Sequence, residues 1–361
     1  MPDKYLITLG QINGFGGTII ARLYKYFGSY ENIWKATATD LEKIHASQQL
    51  IDKLTEFRQQ TDPDFVLDQL SKNKINALSF FDDAYPYLLK QIKNPPVIIY
   101  TRGNFSCLNN QPALSIVGTR HHSPYGQQTL ERLLRELASH INLTVSGLAY
   151  GIDSIAHVNS IKNNIPTLAV VASGLDWKSF EPRGQTWLAE KIIANNGCLL
   201  SDFPIGHIVQ KYNFPQRNRL IAGLTKITIV IEAGEKSGAL ITAQLASDYG
   251  REVFALPGDV TRQQSWGCNR LISKGANVLI NANSVLSIFN IDKTTKTKSI
   301  YNNLSETQQK IIACLQLETI LSIDELSQIT NLANSQLLIE LTDLELNDLV
   351  KRDLFGKVQL V

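Results

Sequence analysis

The stretch FPQRNRLIAG, residues 214–223, sets Phe214, Arg217, Asn218 and Arg219 just ahead of an apolar run. Guanidinium groups fork onto phosphate oxygens. An amide can pair with a base or a backbone group, and a phenyl ring can stack on any base. From Phe203 to Ile231 there is no Asp or Glu, while Lys211, Arg217, Arg219 and Lys226 fall inside. A locally positive surface on a nearly neutral chain suits an anionic ligand held at one place. An ordinary basic loop with Phe214 in the core is the other reading of this stretch.

The elements around it decide which reading gains weight. Short apolar segments begin at 114 (LSIV), 143 (LTV), 168 (LAVVA), 198 (CLL), 227 (ITIVI), 253 (VFAL) and 278 (VLI), recurring every 25 to 30 residues. Between the first two, Leu130, Leu133, Leu134, Leu137 and Ala138 form a helical apolar stripe. Such alternation predicts an α/β fold with a parallel sheet and helices on both faces. Ligands of open parallel sheets bind beyond the carboxyl ends of the strands. Those ends carry Gly118-Thr119-Arg120, Ser146-Gly147 with Gly151-Ile152-Asp153, Ser173-Gly174, Ser201-Asp202, Glu232-Ala233-Gly234 with Ser237-Gly238, and Pro257-Gly258. Small residues there are expected to leave room for a ligand, with helix N-termini turned toward its phosphates. The basic stretch lies between the segments at 198 and 227, so it joins the same edge. The expected binding set is therefore Gly118, Thr119, Arg120, Ser146, Gly147, Lys211, Phe214, Arg217, Asn218, Arg219, Ser237 and Gly238.

Other chemistries fit less well. There is no G-x-x-x-x-G-K-[ST] and no G-x-S-x-G, so neither a P-loop nor a nucleophile elbow is expected. Asp153 and His157 share a helical face, but two ligands do not make a metal site, and a hydrogen-bonded pair ordering the helix start is expected instead. His121-His122 reads as a solvated loop. No catalytic residue, metal or cofactor is expected.

The chain has 361 residues, 43% hydrophobic and 19% charged, with a formal net charge of +2. That charge is too small for coating duplex DNA, so nucleic-acid binding needs a concentrated site. The cysteines at 107, 198, 268 and 314 form no C-x-x-C pair and read as buried thiols of a reducing compartment. Polar residues interrupt the first twenty positions and no apolar run reaches membrane-spanning length, which predicts a cytoplasmic protein with no membrane partner. Residues 1–60 read as a helical domain in which INGFGGTIIARLYKYFG (12–28) is similar to a helix–hairpin–helix, or to a plain helical hairpin packed as a cap. Residues 61–110 read as a connector ending in a strand after Pro95-Pro96, within a central domain of 61–290. Residues 291–303 are a polar linker. In 304–361, SETQ and SIDE are capping boxes, a third helix starts near Asn334, and a hairpin turns at Phe355-Gly356: a winged helix. That third helix carries Glu340, Asp343, Glu345 and Asp348 and no Lys or Arg, with the acids expected to face outward. It is a poor DNA reader and a better surface for a protein.

VGTRHHSPYG (117–126), VSGLAYGIDSIAH (145–157), FPQRNRLIAGL (214–224), IEAGEKSGALITAQLASDYGREVFALPG (231–258) and GCNRLISKGA (267–276) closely resemble the DNA-processing protein A family, DprA or Smf, in the family's order. The resemblance implies a Rossmann-like domain between an N-terminal helix–hairpin–helix or SAM-like domain and a winged helix. It implies a non-enzymatic protein of natural transformation that binds incoming single-stranded DNA, loads the RecA recombinase onto it, and forms homodimers. By position, the family's pocket maps onto Gly118, Arg120, Lys211, Phe214, Arg217 and Asn218. Leu271 and Ile272 are candidates for the dimer contact. The family usually has Tyr-Pro soon after the SGLD strand end. Here Phe180-Glu181-Pro182 stands instead, which puts any contact of that tyrosine hydroxyl in doubt.

Two other readings remain. One is a nucleotide-hydrolysing enzyme of the lysine-decarboxylase-like kind, with Glu232 at a strand end, although its Pro-Gly-Gly-x-Gly-Thr block is missing. The other is a transcription factor built on the winged helix.

Overall fold

The computed structural model describes residues 2–289, 304–317, 320–346, 349–353 and 356–360. The expected linker lies outside the described residues. The chain divides into two compact units, residues 1–290 and 291–361.

The first unit is built on a nine-stranded sheet: β1 Asn76–Ser79, β2 Ile98–Gly103, β3 Ala113–Val117, β4 Leu143–Ser146, β5 Thr167–Val170, β6 Cys198–Ser201, β7 Ile227–Val230, β8 Glu252–Ala255 and β9 Asn277–Val278, in the order β1-β2-β6-β5-β4-β3-β7-β8-β9. From β6 to β9 every pair is parallel, and β2 joins β6 antiparallel. The α/β class and its parallel sheet are those predicted from the seven apolar segments, each of which is a strand. The side chains of the first six segments are buried on both faces, which is why they show no alternation, while the seventh, at the sheet edge, buries Leu279 and exposes Val278 and Ile280.

The order runs outward from β3 in both directions, so the topology reverses between β3 and β7. Right-handed crossovers place the helices Pro124–Leu137, Ile152–Lys162 and Thr186–Ala194 on one face. The helices Asn213–Leu224 and Gly238–Asp248 lie on the other.

Six helices precede the sheet, the last being Pro63–Lys72, where Asp62 caps and Pro63 occupies the first turn. They share one apolar core with β1, β2 and the sheet face beneath them. The segment expected as a connector ending in a strand thus carries two α-helices, Pro63–Lys72 and Tyr87–Lys90, and two strands. β1 escaped notice because NALS is short and lacks β-branched residues. At the glycine turn Phe15 is buried, and Lys53 Nζ donates to the Asn13 carbonyl at 3.1 Å, so the turn is packed and clamped.

The second unit holds helices Glu306–Leu317, Ile323–Thr330 and Asn334–Leu346, and strands β10 Val350–Arg352 and β11 Val358–Leu360, paired antiparallel. Both capping boxes form reciprocally, Ser305 with Gln308 and Ser322 with Glu325. Leu337, Leu341 and Leu344 fill the core. The described acids of the third helix lie off its core face, Asp343 exposed and Glu340 and Glu345 half-buried, and each has a partner within the unit. Gln308 Nε2 donates to Asp343 at 2.7 Å, Ser305 Oγ reaches Glu340 at 3.5 Å, and Arg352 grips Glu345 through Nε at 2.8 Å and Nη2. Asp348 and Phe355 lie outside the described residues.

Candidate nucleic-acid interface

The carboxyl ends of β3 to β6 surround a pocket of about 630 Å³. Arg120 comes from the loop after β3 and Gly147 and Tyr150 from that after β4. Lys178, Glu181 and Arg183 follow β5, and Ile208, Val209, Phe214 and Arg217 follow β6. Phe214 is half-buried on the wall, not in the core, and the exposed Arg120 guanidinium stands 5.9 Å from its ring centroid. That is within cation–π reach and leaves both groups facing the cavity.

Four cations line the pocket (Arg120, Lys178, Arg183 and Arg217) against two carboxylates, Asp176 and Glu181. The carboxylates are engaged locally. Asp176 accepts from Ser179 Oγ at 2.5 Å and Gly206 N at 2.9 Å, and Glu181 from Arg183 N at 3.0 Å. The cavity is therefore electropositive and ring-flanked, with apolar Ile208 and Val209 on its rim.

Arg217 departs from the expectation of a phosphate fork. It is buried, its Nη1 donates to the Gly147 and Val170 carbonyls, and it sits beside buried Asp153. Burial brings its pKa down to about 10, with Asp153 opposing that shift, so it stays charged at neutral pH. Arg219 departs further: it pairs with Asp202, whose side chain is 9% exposed, and donates Nη1 to the Asn94 carbonyl at 2.5 Å, which makes it a structural cation. Burial pushes the Asp202 carboxyl up, and Arg219 pulls it back. Lys226 is exposed just before β7 begins, at the opposite end of the sheet from the pocket.

The small residues also have another purpose than the one expected. A Cβ on Gly118 would stand 2.7 Å from Ile152, and one on Gly147 2.3 Å from Arg217 Nη1. They admit the protein's own groups. Ser146 Oγ is buried and donates to the Ile116 carbonyl at 2.6 Å, so it meets no ligand. Ser237 caps its helix by accepting from Ala239 N at 3.3 Å; beside it Gly238 is exposed with open space around it. Asn218 reaches the Gly238 carbonyl at 3.4 Å. Thr119 N donates to the Glu232 carbonyl at 2.7 Å. Lys211 is exposed in the loop before the 213–224 helix. Leu271 and Ile272 are half-buried against the sheet core.

The Asp153–His157 pair does not form. Asp153 Oδ2 accepts from Gly147 N at 3.2 Å and Ala149 N at 3.4 Å, filling the N–H cradle expected to take a phosphate. His157 Nδ1 meets Thr167 Oγ1 at 2.7 Å, and burial takes its pKa down to about 3. Phe180 is fully buried edge-on to Trp177, with ring centroids 5.1 Å apart. Among the described residues no cluster of three or more His, Cys, Asp or Glu could hold a metal, and no helix is long and apolar enough to cross a membrane.

Sequence reasoning missed Tyr150, Lys178, Arg183, Ile208 and Val209. Lys178 and Arg183 lie beyond the Ser173-Gly174 strand end, in a loop with no periodicity. The only signal that could have found them is their charge, carried on a loop that continues along the same edge.

These features define an open α/β protein with an electropositive, ring-flanked pocket at its strand ends and a winged helix in a separate unit. The chain belongs to the DNA recombination-mediator protein A family, whose match spans residues 76–290, and the DprA winged helix domain matches 296–353. The family is one of DNA processing and recombination. Protein Smf of Synechocystis sp. is 35% identical over 289 residues, covering 79% of this chain and 72% of its own length. The DNA processing protein DprA of Streptococcus pneumoniae is 38% identical over 216 residues, 60% of this chain and 75% of that protein. An X-ray structure of the pneumococcal protein superposes with a TM-score of 0.67 at 33% identity, covering 79% of this chain and 98% of that one. DNA processing protein A from Helicobacter pylori, whose structure addresses its single-stranded DNA binding mode, gives a TM-score of 0.54 at 30% identity over 61% of this chain and 97% of that one.

Proposed function

We propose that this protein binds single-stranded DNA at the strand-end pocket and delivers it to a RecA-type recombinase, acting in the cytoplasm as a homodimer and without catalysis. The observation that carries the reading is Arg120 over Phe214 on the wall of an electropositive cavity: a phosphate partner beside a stacking ring. The Helicobacter pylori relative's single-stranded DNA binding supports the ligand class. Delivery to the recombinase rests on the family resemblance. Against hydrolysis, Glu232 is buried and accepts from Ser123 N at 2.8 Å and Ser123 Oγ at 2.5 Å, so its carboxylate holds the residue that caps the 124–137 helix and is not placed as a base.

The pocket admits a splayed base but not a duplex roughly 20 Å wide. Oligo-dT should therefore bind well ahead of blunt duplex of the same length. With about three to five phosphates neutralised, log K should fall with log salt at a slope of about −2 to −3.5. Arg120→Ala should weaken oligo-dT about 10- to 100-fold, and Phe214→Ala comparably with less salt dependence, because stacking is not ionic. Fluorescence anisotropy measures all of these, and equal affinity for duplex defeats the proposal. A nucleotide-release assay on the same preparation tests the hydrolase alternative.

The winged helix is proposed to meet a protein rather than to carry the DNA. Its third helix exposes Ile339 and Leu338, and Arg352 is held by Glu345. A chain ending at residue 289 should keep oligo-dT affinity within about 1 kcal/mol. A folded truncation that loses more than about a hundredfold would move the DNA site to the second unit.

A further inference from the structure

The pocket has a second lining ring, Tyr150, and another exposed ring, Trp187, lies just beyond it. Tyr150 lines the cavity and is 52% exposed, and Trp187, two residues after the short turn holding Arg183, is 55% exposed. Large rings are ordinarily mostly covered, and these two belong to segments bolted together. The ideal Cβ position of Gly184 lies 2.0 Å from the Tyr150 hydroxyl, so only a residue without a side chain lets the ring lie there. Gln185 Nε2 donates to Ser154 Oγ at 2.6 Å, and Ser154 Oγ to the Ala149 carbonyl at 2.6 Å. Trp187 and Lys191 are four residues apart on the exposed side of the 186–194 helix, opposite buried Leu188, Ala189 and Ile192. Glu190 shares that exposed side. Because the 152–162 and 186–194 helices cover the face opposite the 213–224 helix, Tyr150 and Phe214 flank the strand ends from two sides.

We propose that Tyr150 and Trp187 form a stacking track that takes successive bases of a single strand as it leaves the pocket on the side away from Phe214. Lys178, Arg183 and Lys191 accompany its phosphates. The occupant is set by the chemistry: rings interleaved with cations, continuous with a cavity for one splayed base, match a flexible polyanion with flat faces. An acidic peptide would meet the cations but leave two exposed rings without planar partners. The inference rests on the proposed function and extends it by a direction of travel and two contacts.

Tryptophan fluorescence tests it on the full chain. Of the four tryptophans, Trp34 is buried, Trp177 lies under the Arg102 guanidinium at 4.0 Å from the ring centroid, and Trp266, 45% exposed, sits in the 263–273 helix outside the pocket lining, so Trp187 should supply much of the quenching by oligo-dT. The expected result is loss of most of that quenching in Trp187→Phe. In Trp187→Ala and Tyr150→Ala, (dT)12 should bind about 5- to 100-fold more weakly, with the deficit growing as the oligonucleotide lengthens from about 3 to about 12 nucleotides. Tyr150→Phe should stay near wild type, since stacking uses the ring. Thermal melts confirm that the variants are folded. If quenching persists in Trp187→Phe and both alanine variants bind (dT)12 like wild type, the track is refuted while the pocket stands. If wild type itself fails to bind oligo-dT, the proposed function falls with it.

Discussion

Arg217→Ala should lower the stability of the first unit by about 3–5 kcal/mol, the scale for leaving a buried charge without the opposite charge that compensates it. Arg217 and Asp153 are each about 6% exposed, and the guanidinium also donates to the carbonyls of Gly147 and Val170. Its removal strands a carboxylate beneath the strand ends. The pH dependence gives the loss a signature. Burial pushes the Asp153 pKa up and Arg217 opposes that, so without Arg217 it climbs further. A carboxyl whose folded pKa exceeds its unfolded value binds its proton more tightly when folded. Its stabilising contribution is complete in acid and is lost as pH rises through the folded pKa. The deficit of Arg217→Ala should therefore be smaller at about pH 5 than at about pH 8, and Arg217→Met with Asp153→Asn should recover part of it. Urea melts at both pH values read this directly. A variant that melts like wild type and loses only DNA affinity would make Arg217 a ligand contact after all.

A phosphate-binding Arg217 is the simpler expectation, and its failure shows what a sequence can carry. Six of the seven parallel strands were legible because a strand buried on both faces must be apolar throughout, and LSIV or ITIVI has little other use; the edge strand at 277–278 showed only as one more apolar run at the same spacing. The pocket's location was legible for a topological reason: crossover connections bring every strand-end loop to one edge. The role of each cation was not. Arg217 and Arg219 look alike in FPQRNRL, yet one lies beside Asp153 and the other against Asp202, residues 64 and 17 positions earlier. Whether a guanidinium meets a ligand or a carboxylate depends on partners that only the folded chain brings close. The glycines and serines misled in the same way. A small residue at a strand end reports that something approaches the backbone, and at Gly147 it is Arg217 and Asp153. The N-terminal β1 was hidden by brevity, and Lys178 and Arg183 by sitting in a loop without period.

Gly151→Ala should be nearly as damaging as Arg217→Ala, although it touches no charge. Gly151 precedes the 152–162 helix with φ 80° and ψ −128°, a conformation that side chains resist. A Cβ there would stand 2.4 Å from the Thr119 carbonyl oxygen and 2.6 Å from that of Arg120, and these are backbone atoms that no rotamer change moves aside. Backbone strain of about 1–3 kcal/mol adds to overpacking of similar size, so a loss of about 2–5 kcal/mol is expected. The clash falls on the loop that aims Arg120 at the Phe214 ring, and Ile152 N donates to the same Thr119 carbonyl at 3.1 Å. Any relief by displacement must shift that loop. Whatever folded protein remains should therefore bind oligo-dT more weakly than wild type, without a substitution at a contacting residue. Gly238→Ala provides the contrast, since nothing lies within 4 Å of its added Cβ and its φ is unexceptional. Replacing a helical glycine by alanine there should stabilise by up to about 1 kcal/mol. Urea melts paired with anisotropy separate the two. A Gly151→Ala protein as stable as wild type would mean that the 118–120 loop yields freely, and Arg120 would then lose its place as a fixed, preorganised partner for phosphate.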